Sequence, residues 1–146
     1  MGLLSSSGCA IPAARAYRDR QLGDGAYVKR DYRQAYQGYA GAVRASAGLA
    51  NVEGPEGESG TNYNLGLSLE KLGNYTAERD VMARAQLLAK RAGDRKTELL
   101  AAKSLAEAEG FRGEYPRSLE LLEKLLLETK GTLSEDSIAG IHRSMS

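Results

Sequence analysis

The stretch Leu65-Gly66-Leu67-Ser68-Leu69-Glu70-Lys71-Leu72-Gly73-Asn74-Tyr75 decides the fold, because its skeleton occurs three times in the chain. Leu22-Gly23 is followed by Tyr32, and Leu105-Ala106 by Tyr115, each ten residues after the leucine, as Leu65-Gly66 is followed by Tyr75. The three tyrosines lie 43 and 40 residues apart. A turn is spelled out just before two of them, in Leu72-Gly73-Asn74 and Arg112-Gly113-Glu114; the first copy reads Arg30-Asp31. Repetition at such a period marks stacked supersecondary units, none of which can bury its apolar face alone.

The sequence on either side of each turn has a helical pattern. Pro12 opens a helix that runs to about Lys29, since the missing proline N–H costs nothing in a first turn. Residues 1–10 are small and apolar and read as a flexible tail. Gly23 corresponds to Gly66 and Ala106, all small, as close helix packing requires; Gly25 has no such counterpart and reads as a bend. Asp31 caps a second helix, to about Ser46, with Tyr32, Ala35, Tyr36, Tyr39, Ala42 and Val43 at a period of 3.6. Residues 48–60, which include Glu53-Gly54-Pro55-Glu56-Gly57-Glu58, read as a flexible acidic loop.

A third helix starts at Thr61 and stops at Gly73. Asn74 caps the fourth, which ends at Gly93, and Asp94 caps the fifth, which Gly113 stops. Pro116 opens the sixth, which Gly131 ends, and Ser134-Glu135-Asp136 starts a short last helix over about 134–145. No segment alternates as a strand would. The fold class is all-α.

Composition narrows the function. The chain has 146 residues, 42% apolar and 27% charged, with no tryptophan and one phenylalanine, so its core must be built from Leu, Ala and Tyr. That length suits one compact domain or one short repeat array. The formal net charge is +1. Aromatic and basic residues interleave at Tyr17, Arg18, Arg20, Tyr27, Arg30, Tyr32 and Arg33, but Asp19, Asp24 and Asp31 stand among them and cancel the attraction for phosphate. Nucleic acid is therefore not an expected partner. Cys9 is the single cysteine and His142 the single histidine, near the C-terminus, so no disulfide, metal centre or catalytic triad is expected, and no cofactor. Carboxylates such as Glu107 and Glu109 have no nucleophile or metal set beside them in the sequence, which points away from an enzyme. No apolar run approaches the roughly 20 residues a membrane span needs.

Helix pairs with these words resemble the tetratricopeptide repeat. In that family the first helix carries Leu-Gly, a Gly-x-Tyr turn follows, and the second helix places a small residue, an aromatic and an alanine at steps of three, four and three. The first copy matches with Tyr32, Ala35, Tyr39 and Ala42. The second gives Tyr75, Glu78, Met82 and Ala85, and the third Tyr115, Ser118, Leu122 and Leu125. Glu78 departs from the pattern, putting a carboxylate where a small residue packs, which predicts loosened packing or a relaxed register. The longer period is similar to that of kinesin light chains and of mitotic-orientation and quorum-sensing adaptors. Such repeats often carry Asn before Leu-Gly, as Asn64 stands here.

The resemblance implies a right-handed α-α superhelix of three helix pairs, over about 13–48, 61–92 and 95–130, with a capping helix over about 134–145. It also implies a non-enzymatic module that binds a peptide or helix of a partner protein in the groove lined by the first helices. Carried over position by position, that groove holds Tyr17, Arg20, Asp24 and Tyr27 from the first copy. Tyr63, Asn64, Leu67 and Glu70 come from the second, and Leu100, Lys103 and Glu107 from the third. The clamp that some relatives use for chaperone carboxylates would fall on Arg20, Asp24, Asn64, Leu100 and Ser104. Asp24 would repel such an anion, so this subclass is rejected. The alternative is a small scaffold subunit of a larger assembly, ciliary, cytoskeletal or of a bacterial envelope, so the chain is expected as a monomer or within a hetero-complex.

The N-terminus bears on the compartment. Met1-Gly2-Leu3-Leu4-Ser5-Ser6 fits a myristoylation pattern at Gly2, with Cys9 near enough for a second acyl chain. Gly8-Cys9 also resembles the end of a bacterial lipoprotein signal, though Ser6 stands where leucine is usual and the stretch ahead is short. A plain tail with a spare thiol is the third reading. A cytoplasmic location is the expectation, with membrane attachment if Gly2 or Cys9 is lipidated.

Overall fold

The structure is a computed structural model and describes residues 3–47, 54–129 and 135–145. Its described residues form seven helices and no strand, so the protein is all-α. In chain order these are α1 (Leu3–Val28), α2 (Tyr32–Ser46), α3 (Gly54–Lys71), α4 (Tyr75–Ala92), α5 (Arg95–Phe111), α6 (Tyr115–Glu128) and α7 (Glu135–Met145). Each helix packs chiefly on its neighbours in sequence, and α3 also touches α5. No helix among the described residues is long and apolar enough to cross a membrane.

Four turns close in one way. Asp31, Asn74, Asp94 and Glu114 each donate their backbone N–H to the carbonyl five residues back, at 2.9–3.0 Å. That bond requires a left-handed residue just before it, and Gly73, Gly93 and Gly113 supply one with φ of 75°, 73° and 88°. In the first turn the place is held by Arg30, at φ 63°. The next helix then starts at once: side-chain oxygens of Asp31, Asn74 and Asp94 accept from Gln34, Ala77 and Thr97 backbone N–H groups at 3.1–3.2 Å. Glu114, in the fourth turn, makes no such cap bond, and Pro116 follows within the first turn of α6.

The small residues of the repeated word sit where helices come closest. A Cβ built on Gly23 would lie 2.8 Å from the ring of Tyr39, and one on Gly66 would lie 2.6 Å from the Met82 methyl. Ala106 shares a buried cluster with Leu122. Tyr39, Met82 and Leu122 all stand seven residues after the tyrosine of their copy. The longer side chains, Tyr39 and Met82, face glycine, and the shorter, branched Leu122 is matched with alanine.

The core runs along the molecule in three clusters. Ala26, Ala35, Tyr39, Ala40, Leu65 and Leu69 join α1, α2 and α3. Met82, Ala85 and Ala101 join α4 to α5, with Tyr63 and Leu67 of α3 against them. Leu99, Ala106, Leu122 and Leu125 join α5 to α6, and Ile141 of α7 is buried among them. Burying each Leu, Met or Ile contributes roughly 1.5–3 kcal/mol.

Three helix ends differ from the sequence reading. α1 starts at Leu3, well before Pro12, so residues 3–10 are helical and not the irregular tail expected from their composition. A proline marks where a helix can begin; inside one it removes a single backbone bond, and here the helix continues through it. α3 starts at Gly54, inside the segment read as an acidic loop. Pro55 is preorganised for a first helical turn, and the polar residues after it are buried by bonding back to their own helix. Thr61 Oγ1 donates to the Gly57 carbonyl at 2.8 Å and Asn62 Nδ2 to that of Glu58 at 2.9 Å. α6 ends at Glu128, ahead of Gly131, with Thr129 buried and its hydroxyl donating to Leu126 O. Gly25 needs no bend: α1 runs through it, and nothing approaches the place of its Cβ. Gly2, Gly131 and Ser134 lie outside the described residues, as does the Cys9 side chain.

Candidate functional site

The residues expected to form a binding face divide into two groups. Tyr27, Tyr63, Leu67, Glu70, Lys103 and Glu107, from α1, α3 and α5, come together. Tyr27 packs on the first core cluster and meets Tyr32 edge-on, ring centroids 5.3 Å apart. Tyr63 and Leu67 lie against Met82, Ala85 and Ala101. Burial raises the Tyr63 hydroxyl pKa, a hydrogen bond with Ser104 opposes this, and Glu70, Glu107 and Tyr27 add to the rise. The Tyr27 hydroxyl is raised by burial first, then by Tyr32 and Glu70. Lys103 Nζ donates to Glu107 Oε1 at 2.7 Å, and the Ser144 hydroxyl of α7 donates to the same oxygen.

The rest of the set is placed differently. Tyr17 and Arg20 lie roughly 15 and 10 Å further up α1 than Tyr27, at 1.5 Å per residue. They meet each other, the Arg20 guanidinium 5.8 Å from the Tyr17 ring centre, and Tyr17 is 58% exposed. Asp24 is engaged within the protein, accepting the Tyr39 hydroxyl at 2.7 Å. Burial and that bond together raise the Tyr39 pKa. Asn64 is half-buried, and its backbone carbonyl accepts from Ser68 Oγ at 3.0 Å.

Sequence reasoning treated Glu78 as a flaw in packing, and the structure corrects this. Its side chain is completely buried, and Met82, one turn on, is fully buried against Gly66. The local packing is tight, and the carboxyl is held inside it. No donor reaches either Glu78 oxygen, and the Glu70 carboxyl is the group placed to take a hydrogen bond from its acid form. Burial pushes its pKa up to about 8, with the nearby carboxyls of Glu70 and Glu107 adding to the effect. A charged carboxylate is disfavoured by low dielectric and by like charges, so Glu78 is largely protonated at neutral pH. The signal was present in the sequence as the one charged residue at a small-residue position.

At the α5–α6–α7 end, Gly110, Phe111, Tyr115, Ser118, Leu119 and Met145 line a cavity of about 570 Å³. Phe111 and Tyr115 are 60% and 71% exposed at its edge, and Phe111 stacks on Tyr75 with ring centroids 4.7 Å apart. No cluster of three or more His, Cys, Asp or Glu among the described residues is arranged to hold a metal ion. No known protein-family description matches this sequence, and no curated protein is significantly similar to it.

Proposed function

We propose that the chain is a tetratricopeptide-like module: three helix pairs, α1–α2, α3–α4 and α5–α6, wound as a right-handed superhelix and capped by α7. In this reading it is not an enzyme and binds a peptide or helix of a partner protein across the face of α1, α3 and α5. One observation carries the reading. The small residue of each copy is matched to the residue seven after the tyrosine, in Gly23–Tyr39, Gly66–Met82 and Ala106–Leu122. The meeting of Tyr27, Tyr63, Glu70 and Glu107 supports the choice of face, since tyrosines give large contact area at little entropic cost.

Affinity capture from the native source, read by mass spectrometry, tests it. Tyr27→Ala with Tyr63→Ala is expected to lower recovery of the partner at least about tenfold, in protein whose helical content is unchanged. Leu87→Ala, at a 48% exposed position of α4, is expected to leave recovery unchanged. The reverse pattern rejects the groove. The exposed aromatic edge at Phe111 and Tyr115 favours a second reading, a scaffold subunit covered there by a neighbour. Sedimentation separates the two: a peptide-binding adaptor stays monomeric alone, and a scaffold subunit self-associates or precipitates.

A further inference from the structure

Among the described residues, the two Glu78 oxygens are the buried side-chain atoms left without a hydrogen-bond partner. Buried polar groups are nearly always paired; in its acid form Glu78 leans on the Glu70 carboxyl, and once ionised it has no donor beside it. Glu70 of α3 and Glu107 of α5 act on it from either side, their side chains 28% and 20% exposed. Lys103 answers Glu107 at 2.7 Å, while Lys71 reaches Glu70 at 3.9 Å, so three carboxyls are short of positive charge. Their arrangement does not suit a metal ion. Tyr27 and Tyr63 border the same carboxyls, and aromatic faces favour a guanidinium.

We propose that Glu70, Glu78 and Glu107 receive the arginine side chain of a basic partner segment laid across α3 and α5. This rests on the groove reading above and names the chemistry of its ligand. A guanidinium brings five donors in one plane, enough to serve Glu70 and, once the partly exposed Glu70 and Glu107 side chains swing aside, the Glu78 oxygens beneath them. As it arrives, Glu78 gives up its proton to solvent, so binding is coupled to proton release. Glu70, Glu107, Lys103 and Tyr63 are the titratable groups that surround the exchange.

The test is an NMR titration of the isotope-labelled full chain with the acetylated, amidated peptide Gly-Ser-Arg-Ser-Gly, and with the same peptide carrying norleucine for arginine. The arginine peptide is expected to shift the Tyr63, Glu70 and Glu107 amides to saturation, and the norleucine peptide to leave them in place. Affinity should rise roughly tenfold from pH 6.5 to 8.5 as the proton-release cost vanishes. Glu78→Gln should abolish that rise, and Glu70→Gln should weaken binding at least about fivefold. Equal shifts from both peptides, or unaltered binding in both variants, overturn the proposal. Absence of binding by either peptide also overturns it, while the groove itself stands or falls on partner capture with the Tyr27 and Tyr63 variants.

Discussion

Gly38 of α2 rests on Gly23 of α1, backbone against backbone. A Cβ on Gly38 would lie 2.6 Å from the Gly23 amide nitrogen and 2.8 Å from the Asp19 carbonyl oxygen. Backbone cannot move aside as a side-chain tip can. Gly38→Ala is therefore expected to force α1 and α2 apart and destabilise by about 2 kcal/mol, even though alanine is the better helix former. Gly25→Ala, where nothing stands within 4 Å, should stabilise by up to about 1 kcal/mol. Urea unfolding of the two variants checks the pair, and equal shifts would refute the close contact.

Gly23 and Gly66 occupy matching places but should respond differently to alanine. At Gly23 the new methyl meets the Tyr39 ring, which Asp24 pins through a 2.7 Å hydrogen bond. At Gly66 it meets the flexible end of Met82. Gly23→Ala is expected to cost about 2 kcal/mol and Gly66→Ala less than about 1. Combining Gly66→Ala with Met82→Leu recreates the Ala106–Leu122 combination. A double-mutant cycle should show favourable coupling of about 0.5 kcal/mol or more.

The first turn carries a strain the others avoid. Arg30 holds a left-handed conformation at φ 63°, where Gly73, Gly93 and Gly113 stand in the other turns. An L-residue in that region costs roughly 1–2 kcal/mol, part of which glycine returns as unfolded-state entropy. Arg30→Gly should raise stability by about 0.5–1 kcal/mol, and Gly73→Ala should lower it by about 1. Thermal melts of both variants give the signs directly.

Glu114 is one methylene too long to act as its counterparts do. Asp31, Asn74 and Asp94 each bond the backbone three residues on, and Glu114 does not. Glu114→Asp is expected to supply that bond and stabilise α6 by about 0.5–1 kcal/mol. Unchanged stability would show that Pro116 alone sets the start of the helix.

What could be read from sequence follows the range of each interaction. The caps at Asp31, Asn74 and Asp94 and the stops at Gly73, Gly93 and Gly113 act within five residues, so they were legible. The start of α3 was not, because Pro55, Gly57 and Ser59 have loop-like composition while the burial of Ser59, Thr61 and Asn62 comes only in the folded protein, where α3 packs on α2 and α4. The same limit holds at the candidate site. Tyr27, Tyr63, Glu70 and Glu107 could be nominated by position, but the depth of Glu78 depends on α3 and α5 closing over α4. Its identity was visible as an anomaly, and its burial is a tertiary fact.

That burial makes stability depend on pH with a definite sign. The Glu78 pKa is raised from about 4.5 to about 8 on folding, so the folded protein keeps a proton that the unfolded chain releases. Stability from this group is full below about pH 4.5, falls as pH rises to about 8, and is level beyond. The slope is at most about 1.4 kcal/mol per pH unit. Glu78→Gln, which cannot ionise, should match the wild type near pH 4.5 and exceed it increasingly toward pH 8. Glu78→Leu should also remove the slope, since it leaves no carboxyl to ionise. Urea unfolding across this range decides the matter: equal slopes in wild type and Glu78→Gln would mean that Glu78 is ionised in the folded protein, with its charge met by a donor.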